Sequence, residues 1–219
     1  MYIGDYLGRR EIYSPEKLAI IDAGKTPELR LTFKAWNRRV NRLANWLRAE
    51  AGVGYRDRVA ILAQDGVEHL DLFHACSKLG AIHTALNWRL HWRELAGIVA
   101  NTTPRVLVYS DKFKDAVAEI VQAAAGGGHA IAHLVHLDGD GLPGSVRYDD
   151  LLAASPETSV AYDALEAEDI ACLLFTGGTT GLPKGAQISH RQVCWNVLNT
   201  VVHDVQHDDI YLNVFPLFH

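Results

Sequence analysis

At 219 residues with 48% hydrophobic content, the chain has enough apolar side chains for one large domain or two small ones. Its formal charge of −5, with acidic and basic residues mixed along the length, offers no broad positive field for nucleic acid or anionic lipid. No run reaches the roughly 18 apolar residues of a membrane span, and "MYIGDYLGRREIYSPEK" is too charged for a secretory signal, so a soluble cytoplasmic protein is expected.

Near the start, "LAIID" and "LRLT" read as short strands, with Thr32 placed to cap the helix that follows. That helix carries Phe33, Trp36, Val40, Leu43 and Leu47 three and four residues apart, a single apolar stripe that must face a core. From Tyr55 a rhythm sets in: "RVAILAQ" as strand, "VEHLDLFHACSKLG" as helix, "AIHTAL" as strand, "WRELAGIVANT" as helix and "RVLVYS" as strand. It continues with "KFKDAVAEIVQAAA" as helix, a "GGG" loop, "AHLVHL" as strand, a polar glycine-rich turn and the short helix "YDDLLAA". After a linker rich in Ala, Glu and Pro come the strand "IACLLFT", a glycine-rich turn, the strand "AQIS" and the helix "RQVCWNVLNTVVH". Alternating strands and helices predict an α/β fold with a mainly parallel, doubly wound sheet and helices on both faces, and the near-continuous apolar strands suit burial from both sides. The final "DIYLNVFPLFH" reads as one more strand-like run, and with no capping helix behind it this end is expected to be cut rather than finished.

The chemistry concentrates in "TGGTTGLPKG", residues 176–185. Gly177, Gly178 and Gly181 permit positive φ and leave no Cβ to obstruct a ligand, so successive backbone N–H groups can face one anion. Thr176, Thr179 and Thr180 add hydroxyl donors, Lys184 adds a mobile positive charge, and Pro183 stiffens the exit. The composition suits a polyphosphate. It is not a Walker loop, since Pro183 precedes the lysine and Gly185 follows it, and a strand rather than a helix comes next. The plain alternative is a glycine-rich hairpin that binds nothing.

"LLFTGGTTGLPKGAQISH" resembles the phosphate-binding signature of the adenylate-forming, or AMP-binding, superfamily, which includes acyl-CoA synthetases, luciferases and the adenylation domains of nonribosomal peptide synthetases. The stretch from "LTFKAWNRRV" to "AIHTALNWRL" is similar to that superfamily's N-terminal region, and "FPLFH" looks like its next block. The resemblance implies that residues 1–219 are the N-terminal part of the large AMP-binding domain, with 1–165 as a βα region and 166–219 carrying the strand-loop-strand, a helix and a strand. The superfamily's adenine loop, acidic Mg²⁺ residue, ribose aspartate and catalytic lysine lie beyond the block where this sequence stops, so no catalytic residue and no metal ligand is expected here.

By the same resemblance, Thr176, Gly177, Gly178, Thr179, Thr180, Gly181 and Lys184 hold the β- and γ-phosphates of ATP while a carboxylate attacks the α-phosphate. Mg²⁺ and coenzyme A complete the reaction, and Phe218 and His219 match residues near the acyl-binding pocket. Gly177 replaces a serine common in the family and leans toward a fatty acid. The function implied is an ATP-dependent acyl-CoA synthetase, inactive as this stretch alone. An adenylating domain for an aryl acid or a carrier protein, and a non-catalytic phosphate-binding or assembly module, are the alternatives. A carboxylic acid, ATP and coenzyme A are the expected partners, with a homodimer formed through apolar surface that the missing portion would cover.

Other features read more simply. "GDGLPG", residues 139–144, matches G-x-G-x-x-G but opens no helix, so it is expected to be a solvent turn. His203 and His207 with Asp204, Asp208 and Asp209 suit a solvated helix end rather than a metal site. His69, His74, His83 and His91 are expected to be ordinary surface or core residues, and the arginine of "NWRL", Arg89, a structural ion-pair partner. Cys76, Cys172 and Cys194 are expected as buried or half-buried free thiols.

Overall fold

The computed structural model describes residues 3–176 and 183–219. Asp5 caps α1 (Tyr6–Tyr13) by accepting the Gly8 N–H at 2.9 Å. The strands β1 (Leu18–Asp22) and β2 (Leu29–Thr32) form a separate antiparallel ribbon. Thr32 Oγ1 then accepts the Ala35 N–H at 3.2 Å and starts α2 (Phe33–Ala49), which buries Trp36, Val40, Leu43 and Leu47 as the spacing predicts.

The main sheet follows from β3 (Arg58–Leu62), α3 (Val67–Leu79), β4 (Ile82–Ala85), α4 (Trp92–Thr102), β5 (Val106–Tyr109), α5 (Lys114–Gly126) and β6 (His133–His136). It is completed by β7 (Val146–Arg147), α6 (Tyr148–Ala154), β8 (Ile170–Thr176) and β9 (Lys184–Ser189), and α7 (His190–Val202) comes last. The strand order is β7-β6-β5-β3-β4-β8-β9, parallel throughout except for β8 with β9. Side chains alternate across it. Val59, Ile61, Val106 and Val108 join a core with α2, α3 and α6, whereas Ala60, Leu62, Leu107 and Tyr109 join one with α4 and α5.

The chain steps from β3 to β4, then crosses back over β3 to β5, which puts α3 and α4 on opposite faces. All strands but β9 therefore end at one edge of the sheet, the edge where doubly wound folds bind ligands.

Two polar clusters lie under the α2–α3 layer. Fully buried Asp71 accepts from Trp36 Nε1 at 2.9 Å, Arg39 Nε at 2.6 Å and the Tyr148 hydroxyl at 3.0 Å, which ties α2, α3 and α6 together. Beside it, His69, His74, His83 and His190 each hold one buried ring nitrogen with no hydrogen-bond partner among the described residues. The rings of His69 and His83 lie 6.5 Å apart, Trp36 sits 4.9 Å from His74, and the Tyr6 hydroxyl is 3.1 Å from His190 Nδ1.

One expectation changes, two elements were not foreseen, and the cysteines are as expected. Residues 210–215 form no strand: their side chains are exposed, no neighbouring strand pairs with them among the described residues, and Pro216 brings no N–H to a ladder. Both α1 and the two-residue β7 escaped the sequence pattern, α1 because only Leu7 of its eight residues is buried. Cys76 and Cys172 are buried and Cys194 half-buried, all as free thiols.

Candidate functional site

The strand β8 enters the sheet beside β4, with Cys172 opposite His83, Leu173 opposite Thr84 and Leu174 opposite Ala85. Its C-terminal end therefore meets the same edge as those of β3 and β4. There the chain turns back as β9, and Thr176 pairs with Lys184 at the turn end of the hairpin. Gly177, Gly178, Thr179, Thr180 and Gly181 lie outside the described residues. What is described holds Thr176 and the exposed Lys184 opposite each other at the root of that turn.

The root is fastened from below. Phe175 is 3% exposed in the α4–α5 core, and a Cβ added at Gly185, its partner on β9, would lie 2.9 Å from a Phe175 ring carbon. Only glycine lets β9 pass over that ring without displacing it.

Phe218 and His219 reach the same edge by another route. Phe218 is 1% exposed, with its ring edge-to-face against Trp88 at 6.2 Å, in the loop after β4. His219 stays exposed, 4.6 Å from the Phe218 ring. The Leu217 N–H donates to Asp65 in the loop after β3, at 2.8 Å. Among the described residues, Thr176, Lys184, Phe218 and His219 thus lie along one edge. Asp65 and Trp88 were not singled out in the sequence, because neither lies in a motif and their contacts span 152 and 130 residues.

Arg89 is not an ion-pair partner. Among the described residues no carboxylate lies within ion-pair distance, and its guanidinium carbon instead sits 5.0 Å from the Trp88 ring and 5.7 Å from that of Phe218. His91 caps α4, accepting the Arg93 N–H at 3.3 Å while Glu94 accepts the His91 N–H at 3.0 Å. The "GDGLPG" turn is closed from inside: Asp111 accepts the Gly141 N–H at 3.2 Å and the Tyr109 hydroxyl accepts the Leu142 N–H at 2.6 Å. His203 and His207 are exposed beyond α7, and among the described residues no group of three potential metal ligands gathers. No helix of the described chain is long and apolar enough to cross a membrane.

Known proteins are similar to this chain in sequence and fold. A family model described as AMP-binding enzyme matches residues 10–219. An indoleacetate–CoA ligase from Aromatoleum aromaticum is 32% identical over 100% of this chain and 41% of its own length. A feruloyl-CoA synthase from an Amycolatopsis species is 35% identical over 99% of this chain and 39% of its own. The crystal structure of ATP-bound MatB from Rhodopseudomonas palustris superposes with a TM-score of 0.81 at 28% identity, covering 100% of this chain and 41% of that one. The chain spans about two-fifths of the length of the curated relatives it matches.

Proposed function

This chain belongs to the AMP-binding enzyme family, and from that premise we propose that it is the ATP-phosphate-binding part of an acid–thiol ligase acting on an aryl or fatty acid. The observation that carries the reading is the β8–β9 hairpin, which sets Thr176 against Lys184 at the ligand-binding edge of the sheet. The residue types there fit ATP: hydroxyls and backbone N–H groups for phosphoryl oxygens, and one cation to offset their charge. In the proposed reaction the acid's carboxylate oxygen bonds to the α-phosphorus of ATP and pyrophosphate leaves, giving an acyl-adenylate. The thiol of coenzyme A then takes the acyl group and releases AMP. No protein nucleophile is needed, so the chain's part is positioning and charge neutralisation.

Thr176 to Lys184 hold the β- and γ-phosphates in this reading, and Phe218 with His219 border the acid. Among the described residues no group of three His, Cys, Asp or Glu side chains gathers, and no step is assigned to Mg²⁺. Nor is any residue assigned to coenzyme A. The setting proposed is the cytoplasm.

Calorimetric titration of this chain with ATP tests the reading. Binding is expected, with no pyrophosphate released when indoleacetate, ferulate or a medium-chain fatty acid is added. Lys184→Ala should weaken ATP binding about ten- to a hundredfold, the range for losing one charge-assisted hydrogen bond. An unchanged affinity would remove the lysine from the phosphate site.

The chain is further proposed to pair with itself. Trp195, Leu198 and Val202 on α7, then Ile210, Tyr211, Leu212 and Phe215, are large apolar side chains left exposed, and residues 192–202 carry no charge at all. Such a patch favours association. Light scattering should show assemblies whose fraction grows with concentration, and Trp195→Glu with Leu198→Glu should shift them to monomer; a monomeric parent would count against the interface.

A further inference from the structure

We propose that Asp65 is a positioning residue for the acid-binding side of the site: its carboxylate latches Leu217 and thereby fixes where His219 stands. The proposal rests on the reading of Phe218 and His219 given above.

The segment leading to His219 has little else to place it. Residues 203–215 are exposed and belong to no helix or strand. Phe218 supplies one anchor, buried in the main core against Trp88. A single buried ring fixes a point but leaves the backbone free to pivot about it. The bond from Leu217 N–H to Asp65 is a second attachment one residue away, and the His219 N–H closes a turn onto the Pro216 carbonyl at 3.1 Å. Two points and a closed turn define the direction of the chain, and with it the side on which the imidazole emerges.

The local chemistry shows why Asp65 is available for this. An aspartate just before a helix ordinarily accepts N–H groups from its own first turn. Here Gly66 is the N-cap of α3 and makes no side-chain cap, while the Val67 N–H is taken at 3.0 Å by Asp22, at the end of β1. The β1–β2 ribbon is held there by a further contact, Lys25 to Glu68 at 2.6 Å. Because a residue 45 positions earlier caps α3, the Asp65 carboxylate turns to a backbone 152 positions later. The loop after β3 is therefore a fixed post at the binding edge. Its carboxylate sets the acyl-side histidine but, in this arrangement, takes no part in holding phosphate.

The test compares Asp65→Ala, which removes the acceptor, with Asp65→Asn, which keeps one oxygen in place. Amide hydrogen exchange at Leu217 and titration with ferulate in the presence of saturating ATP are read on the same proteins, beside the affinity for ATP alone. In Asp65→Ala, Leu217 exchange should rise about tenfold or more, as expected for losing a hydrogen bond to a charged group. Ferulate binding should weaken several-fold while ATP affinity holds, and Asp65→Asn should restore both readings most of the way. Unchanged exchange at Leu217, or an asparagine variant no better than alanine, overturns the latch. A parallel fall in ATP affinity also overturns it, since the residue would then act on the whole fold. If the parent chain binds ATP but no acid, the acyl-side role is overturned while the phosphate reading stands; if it binds no ATP, that reading fails by itself.

Discussion

Asp71→Ala should lower the free energy of unfolding by about 3–5 kcal/mol, the range for removing one member of a buried ion pair. The carboxylate has no exposure to solvent and serves three donors at once, from Trp36, Arg39 and Tyr148. Without it the Arg39 charge, with a side chain only 20% exposed, loses the closer of its two carboxylate partners, Glu68 remaining at 3.9 Å. The indole N–H and the phenol would then be left without an acceptor in the interior, each adding a desolvation penalty. Urea denaturation followed by far-UV circular dichroism measures the loss. Asp71→Asn, which keeps one acceptor oxygen but no charge, should fall between parent and alanine. A change under about 1 kcal/mol in the alanine variant would mean that the cluster is not a structural joint.

Acidification should destabilise the protein almost as strongly. Burial pushes the His74 and His83 imidazoles down to about 3, with the Lys78 charge adding to the effect at His74 and the neighbouring His69 and His74 at His83; burial likewise lowers His69 and His190. The unfolded chain takes up protons on the His74 and His83 rings near pH 6.5, whereas the folded chain does not until far lower. Stability is therefore intact above the unfolded value and drains as pH falls below it. Between pH 6.5 and about 5, each of the two most shifted rings removes about 2 kcal/mol, before any contribution from carboxylates. Urea midpoints at pH 7 and about pH 5 read the effect, and His83→Gln should flatten the dependence because it deletes one titrating ring. A parent midpoint indifferent to pH in that window would show that these nitrogens find proton acceptors on folding.

The sheet could be read from the sequence because its signal is local. Every principal strand from β3 to β9 and every helix from α2 to α7 sits on a run whose apolar spacing matches its period. Strand order is another matter: that β5 lies beside β3 rather than β4 follows from the return crossover, which no single window contains. The same division runs through the site. Thr176 and Lys184 announced themselves by composition and resemblance, and the structure sets them face to face. Asp65 and Trp88 could not be found that way, because an aspartate beside a glycine and a tryptophan in a turn have no periodicity to betray them. Arg89 was misjudged for a related reason. A charge in a sequence suggests an opposite charge, whereas what the fold offered it was two aromatic faces. The last eleven residues misled in the opposite sense, since apolar content alone makes no strand and, among the described residues, no neighbouring strand pairs with them.

The contact between Gly185 and the Phe175 ring separates two tasks within one motif. Ten residues that look like a single device for gripping phosphate also include the seam by which that device is stitched to the protein. Lys184 is the residue proposed to meet phosphate, while its neighbour answers to the size of a ring beneath. A change in the volume of the core at Phe175 would therefore be felt at the lysine, through one peptide bond, before any ligand arrives.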